Sequence, residues 1–92
     1  MPTTETNKPA ATIRYLGVKA VIWANAGKDG KPPRYTVNYI RSYTDESGNW
    51  HDTTSLSETD NLKIGHVVTK VAGKIAELKA ADRADQDIDE AA

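Results

Sequence analysis

The stretch that decides the fold is residues 34–56, which read RYTVNYIRSYTDESGNWHDTTSL. Two runs that alternate β-branched or aromatic residues with polar ones flank residues 44–49, a segment composed of turn-forming residues. This pattern predicts a β-hairpin with a six-residue connection. In that register Tyr43 faces Trp50 across the hairpin, a favourable aromatic pair.

The residues that precede the hairpin extend the predicted sheet. Residues 12–25, TIRYLGVKAVIWAN, are rich in β-branched and aromatic residues, and Gly17 among them indicates either a bulge or a break into two strands. The glycines and prolines of residues 26–33 predict a connecting loop. If Trp23 neighbours Tyr35 on the next strand, one sheet face collects all but one of the six aromatic residues.

A helix is predicted after the hairpin. Ser57 and Asp60 fit a capping box, and the apolar spacing that follows predicts a helix to about Arg83. One stripe of the helix is apolar and suits packing on the sheet. A second sector consists of small residues: Gly65, Thr69, Ala72, Gly73 and Ala76. Glycine in a helix interior costs about 1 kcal/mol of stability relative to alanine, so two glycines on one sector suggest the close approach of another backbone. We therefore predict a homodimer in which this sector lets two helices approach closely. The alternative is loose packing in a small protein.

These elements predict a single α+β domain at residues 12–83. The expected sheet is an antiparallel meander of three strands, or of four if Gly17 breaks the first, followed by one C-terminal helix. Residues 1–11 lack any periodicity and are predicted to be a disordered arm. Residues 84–92 are predicted to be an acidic disordered tail.

Composition argues against chemistry at a catalytic centre. The 92 residues include no cysteine and two histidines, and these match no metal-ligand spacing. We therefore expect a non-enzymatic protein with no catalytic residues, metal, cofactor or small-molecule substrate. The N-terminal residues lack the apolar core of a signal peptide, and no apolar run reaches membrane-spanning length. A cytoplasmic protein that does not bind membranes is the expectation.

Charge and aromatic content together suggest a polyanionic partner. Residues 13–43 contain six basic residues and one acidic residue, although the whole chain has a formal net charge of −1. Rings and cations on one sheet face are typical of proteins that bind single-stranded nucleic acid, because bases stack on the rings while cations meet the phosphates. The alternative is that the aromatic face is the core beneath the helix. The protein would then be a small homodimeric protein-interaction or regulatory module.

The element order over residues 12–82 resembles the single-stranded-DNA-binding family of the transcriptional coactivator positive cofactor four and the Whirly proteins. The resemblance lies in layout and not in a shared motif, and the family's fourth strand requires the break at Gly17. It implies a non-enzymatic protein of transcription regulation that pairs through its helices and binds single-stranded DNA on its sheets. The contact residues that it implies are Lys19, Trp23, Lys28, Lys31, Arg34, Tyr35, Arg41 and Trp50. The tract VIWANAGKDG…RYTV…RSYTDESGNW…TTS also resembles small bacterial proteins of unknown function.

Overall fold

The computed structural model describes the backbone of residues 8–91 and the side chains of residues 8–84. In this part of the chain, four strands form one antiparallel sheet in the order β1-β2-β3-β4, and a helix, α1, follows. The elements are β1 at Ala11–Tyr15, β2 at Val18–Asn25, β3 at Arg34–Thr44, β4 at Trp50–Thr53 and α1 at Glu58–Ala91. The predicted α+β fold is confirmed in its four-stranded form.

A two-residue turn separates β1 from β2. Leu16 and Gly17 both adopt positive φ, at 45° and 88°, the conformation of the type I′ turns that suit the twist of a hairpin. Positive φ is strained for leucine and free of strain for glycine. Gly17 therefore breaks the first predicted strand into two, and Tyr15 pairs with Val18 across the turn.

The β3–β4 turn fixes the register of the hairpin. The Asp45 carboxylate accepts hydrogen bonds from two backbone N–H groups of the turn, at 2.9 Å each, and the Asp45 N–H donates to the Asn49 carbonyl. These bonds close a connection of five residues, in which Thr44 pairs with Trp50. The prediction that Tyr43 faces Trp50 is therefore wrong by one residue.

The β2–β3 pairing departs from the prediction in the same way. Trp23 pairs with Thr36 and not with Tyr35. Because side chains alternate along a strand, a slip of one residue exchanges the two faces of a strand. The predicted single aromatic face is therefore wrong. The tyrosines of β1 and β3 lie on the face that the helix covers, and both tryptophans lie on the opposite face.

The hydrophobic core joins β2 to one stripe of α1. The core residues of β2 are Val18, Ala20 and Ile22, and those of the helix are Ile64, Val67 and Val71. Partly buried side chains of β1, β3 and the rest of the helical stripe surround them. The predicted apolar stripe thus packs on the sheet, except that Val68 points away and is 45 % exposed.

A capping box closes the start of the helix, and an ion pair ties it to the sheet. The Ser57 N–H donates to Asp60 Oδ2 at 3.0 Å, and the Asp60 N–H donates to Ser57 Oγ at 3.1 Å. Arg41 Nε of β3 lies 3.0 Å from the same Asp60 oxygen, although not in line for a good hydrogen bond, so the attraction is mainly between charges. The Ser57 N–H and, to a lesser degree, the Arg41 charge hold the pKa of Asp60 below its usual value.

The far end of the helix differs from the prediction. α1 continues to Ala91, so its predicted end near Arg83 falls inside the helix, and the segment predicted as a disordered tail is helical up to that residue. The run from residue 74 to 91 contains neither glycine nor proline, and alanine is the best helix former. The predicted disorder of residues 1–7 and of Ala92 lies outside the described residues, while Ala11 already belongs to β1.

The Asp60 contacts predict an acid-sensitive fold. A carboxyl group whose pKa is lowered by folding stabilises the protein above its unfolded pKa, and that stabilisation disappears as the pH falls through the folded pKa. The melting temperature of the wild type should therefore decline below about pH 3.8. The Asp60→Asn variant should melt at a lower temperature than the wild type at neutral pH, and its melting temperature should fall less on acidification.

A matched control for this experiment is Glu46→Gln, which neutralises an exposed carboxyl group in the β3–β4 turn. It should melt like the wild type at every pH. Thermal unfolding followed by circular dichroism measures all three proteins. An Asp60→Asn variant with the wild-type pH profile would contradict the role assigned to the capping carboxylate.

Candidate nucleic-acid interface

The sheet has one face beneath α1 and one face on which no element of the described chain packs. We call the latter the open face. Because paired residues of neighbouring strands share a face, the register assigns its members directly. They are Thr12, Arg14, Lys19, Val21, Trp23, Asn25, Arg34, Thr36, Asn38, Ile40, Ser42, Thr44, Trp50 and Asp52. Most of these side chains are exposed or half-buried.

Two tryptophans mark opposite ends of the open face. Trp50 pairs with Thr44 near the β3–β4 turn and is 74 % exposed, and Trp23 pairs with Thr36 near the other end and is half-buried. Their partners are eight positions apart along β3, a span of roughly 27 Å at ~3.4 Å per residue. A large exposed ring on a strand costs solvation free energy, so Trp50 is the side chain on this face that is best suited to contact a ligand.

A polar cluster lies beside Trp50 on the open face. The Lys19 ammonium lies 3.2 Å from Asp52 Oδ2, and the Ser42 hydroxyl donates to Asp52 Oδ1 at 2.8 Å. The Ser42 hydrogen bond and the Lys19 contact hold the pKa of Asp52 below its usual value. The cluster links β2, β3 and β4, and Lys19 balances the negative charge that Asp52 brings to the face.

The loop between β2 and β3 gathers the predicted cations at one end of the sheet. Lys28, Lys31 and Arg34 line a hollow of about 360 Å³ together with backbone and proline atoms of the loop. A Cβ added at Gly27 would clash with the backbone carbonyl oxygens of Lys31 and Pro32, so the loop closes too tightly for any other residue there. The cations are thus presented by a compact loop beside the Trp23 end of the open face.

Two of the predicted contact residues lie on the helix side of the sheet. The Tyr35 hydroxyl donates to the Asp82 carboxylate of α1, and this hydrogen bond is the main reason that the pKa of Tyr35 is raised to about 12. Arg41 pairs with Asp60 at the helix start. Both side chains fasten the helix to β3, so they are separated from the open face by the thickness of the sheet.

The shifted register also brings residues to the open face that the sequence analysis did not select. Arg14 lies beside Lys19 on the neighbouring strand, and the amides of Asn25 and Asn38 are exposed on the same face. Asn25 donates to the Thr36 hydroxyl at 3.2 Å. The signal that could have identified them is β2 itself, whose residues 18, 20 and 22 are all apolar and therefore mark the buried face.

The small-residue sector of α1 lies on the side of the helix away from the sheet. Its members, Gly65, Thr69, Ala72, Gly73 and Ala76, are all exposed. A Cβ added at either glycine would meet nothing within 4 Å, so the fold of one chain gives these glycines no packing role. Leu62 on the same side of the helix is 72 % exposed.

The described side chains contain no group of three or more histidine, cysteine, aspartate or glutamate residues that could hold a metal ion. Within residues 8–91, no helix has both the length and the apolar content needed to cross a bilayer. Comparisons with protein-family models, with curated proteins and with solved structures find no match to this chain.

Proposed function

We propose that the protein is a non-enzymatic binder of single-stranded nucleic acid, with DNA as the first candidate, and that the open face is its binding surface. The observation that carries the proposal is the exposure of Trp50 on a sheet face that nothing in the described chain covers. The resemblance in element order to the coactivator and Whirly family is the reason to place DNA before RNA.

Stacking supports this proposal. Every base presents a flat π-face, so exposed aromatic side chains bind single strands with little regard to sequence. Trp50 and Trp23 offer such rings at the two ends of the open face. The exposed side-chain amides of Asn25 on β2 and Asn38 on β3 can donate and accept hydrogen bonds with base edges.

The charge of the surface points in the same direction. The strands contribute Arg14, Lys19 and Arg34 to the open face against a single carboxylate, Asp52. The adjoining loop adds Lys28 and Lys31 against one further carboxylate, Asp29. A positively charged surface next to aromatic rings attracts the phosphate backbone. The affinity falls as the salt concentration rises, because the release of counterions from the phosphates is then less favourable.

Replacing Trp50 should weaken binding without disturbing the fold. Base–aromatic stacking is worth about 1–3 kcal/mol, so Trp50→Ala should weaken affinity for oligothymidylate roughly five- to 150-fold. Trp50→Phe keeps a ring and should lose much less. Asp52→Asn should bind more tightly than the wild type at low salt, because it removes the negative charge from the open face.

Fluorescence anisotropy with labelled single- and double-stranded oligonucleotides measures these affinities at several salt concentrations. Val68→Ala serves as the control, since it removes a partly exposed apolar side chain of α1 that lies outside the small-residue sector and away from the open face. Absence of wild-type binding at low salt, or equal affinities for Trp50→Ala and Val68→Ala, would refute the proposal.

The second part of the proposal is a homodimer that forms through the small-residue sector of α1. A homodimer is also expected under the alternative function, a small protein-interaction or regulatory module. The exposed Leu62 and the open space around Gly65 and Gly73 favour it. Helices with small residues on the facing side can approach closely about a two-fold axis.

The open space around Gly73 makes a clean test of the dimer. Within one chain, Gly73→Leu creates no clash and should raise stability, because leucine is a better helix former than glycine. At a close helix–helix contact the same change overpacks the interface, at a cost of about 1–3 kcal/mol. We therefore expect a dimeric wild type and a Gly73→Leu variant that dissociates while staying folded.

Light scattering at micromolar concentration measures the mass of both proteins. Lys70→Leu is the matched control, since it adds a leucine to an exposed position of the same helix outside the small-residue sector. A monomeric wild type, or a Gly73→Leu dimer as tight as that of Lys70→Leu, would exclude pairing through this sector.

A further inference from the structure

A second hollow lies between the β2–β3 loop and the helix. It has a volume of about 380 Å³ and is lined by Lys31, Pro32, Pro33, Arg34, Lys79, Asp82 and Arg83. We call it the basic hollow. Four of its seven lining residues are cations and one is a carboxylate, so its charge is +3 by difference. Two of the cations, Lys79 and Arg83, come from the helix and were not among the predicted contact residues.

The single carboxylate of the basic hollow already has a partner. Asp82 accepts the hydroxyl of Tyr35, which faces the helix. Among the side chains that the structure describes, none of the four cations of the hollow forms an ion pair. Clustered cations repel one another, and an incoming anion relieves that repulsion.

The basic hollow is continuous with the loop cations beside the open face. Lys31, Pro32 and Arg34 line both this hollow and the one that contains Lys28. Arg34 also pairs with Asn25 at the last row of the open face. A line of positive charge therefore runs from the Trp23 end of the open face, around the loop, to the outer part of α1.

We propose that the basic hollow binds backbone phosphates of the same single strand where that strand leaves the open face. The inference rests on the proposed function and adds a second contact region to it. Arginine guanidinium groups present paired N–H donors that match phosphate oxygens, and lysine adds a mobile point charge. Pro32 and Pro33 contribute apolar surface to the lining of the hollow, and their fixed φ angles restrict the backbone of the loop.

The proposal makes affinity depend on strand length in a defined way. An oligothymidylate of about 6 nucleotides can occupy the open face alone, whereas one of about 20 nucleotides exceeds the ~4–16 nucleotides of comparable sheet sites and can reach the hollow. The test variant is Lys79→Gln/Arg83→Gln. The matched control is Lys70→Gln/Lys74→Gln, which removes the same charge from the same helix at positions that do not line the hollow.

Fluorescence anisotropy over a salt series is the readout. For the long strand, Lys79→Gln/Arg83→Gln should weaken affinity about ten-fold at low salt. It should also lower the slope of log affinity against log salt by about 1.4, since each lost phosphate contact on a single strand is worth ~0.7. The short strand should bind this variant, the control variant and the wild type equally.

Two results would overturn the inference, and they differ from each other. If the wild type binds both strands but the long strand loses no more affinity with Lys79→Gln/Arg83→Gln than with Lys70→Gln/Lys74→Gln, the hollow is not a phosphate site and the open face remains one. If neither strand binds the wild type at low salt, the proposed function itself fails. Matching circular dichroism melts establish that all variants are folded.

Discussion

Strand parity, by which we mean the choice of which alternate side chains of a strand face the helix, is the constraint on which the rest of this structure depends. Asp45 closes the β3–β4 turn at five residues, and the apolar residues of β2 occupy alternate positions beneath the helix. A slip of one residue in the β3–β4 pairing would turn Trp50 toward the helix side, and a slip in the β2–β3 pairing would turn the tyrosines of β3 toward the open face. The division of the sheet into a buried face with tyrosines and an open face with tryptophans therefore depends on the register of both pairings and on the alternation of apolar residues in β2.

The same parity explains why two residues suited to nucleic acid serve the fold instead. Arg41 and Tyr35 lie on the helix side of β3, and each meets an aspartate of α1: Asp60 near its start and Asp82 further along. These two contacts fix the helix across the sheet at separated points. A small domain buries little apolar surface, so specific polar contacts of this kind matter more for holding one arrangement than they would in a larger protein.

Much of the fold could be predicted from the sequence because its signals are local. The alternation around the hairpin, the glycine after Leu16 and the capping box of Ser57 and Asp60 each act within a few residues. Register could not be predicted in the same way. The predicted six-residue turn leaves out the hydrogen bonds between the Asp45 carboxylate and the turn backbone. The alternation of residues in β3 is compatible with either set of side chains facing the helix.

The candidate site followed the same pattern. Lys19, Trp23, Arg34 and Trp50 lie on the open face, and Lys28 and Lys31 lie on the adjoining loop, as a count of cations and rings in the strands suggested. Lys79 and Arg83 were missed because they are distant in sequence and meet the loop only through the crossing of the helix over the sheet. No periodicity within the helix marks them as different from other exposed cations.

The central claim is that the bases of the nucleic acid stack on the open face, with the basic hollow as a second contact region for the phosphates. Two-dimensional NMR of the labelled protein titrated with an oligothymidylate tests it most directly, since tryptophan indole N–H groups and asparagine side-chain amides give resolved signals on that face. The account predicts progressive shifts of the Trp23 and Trp50 indoles and the Asn38 amide, while the methyl groups of Ile22 and Val67 in the core stay in place. Unshifted indoles in the presence of saturating oligonucleotide, or shifts confined to the outer face of α1, would contradict it.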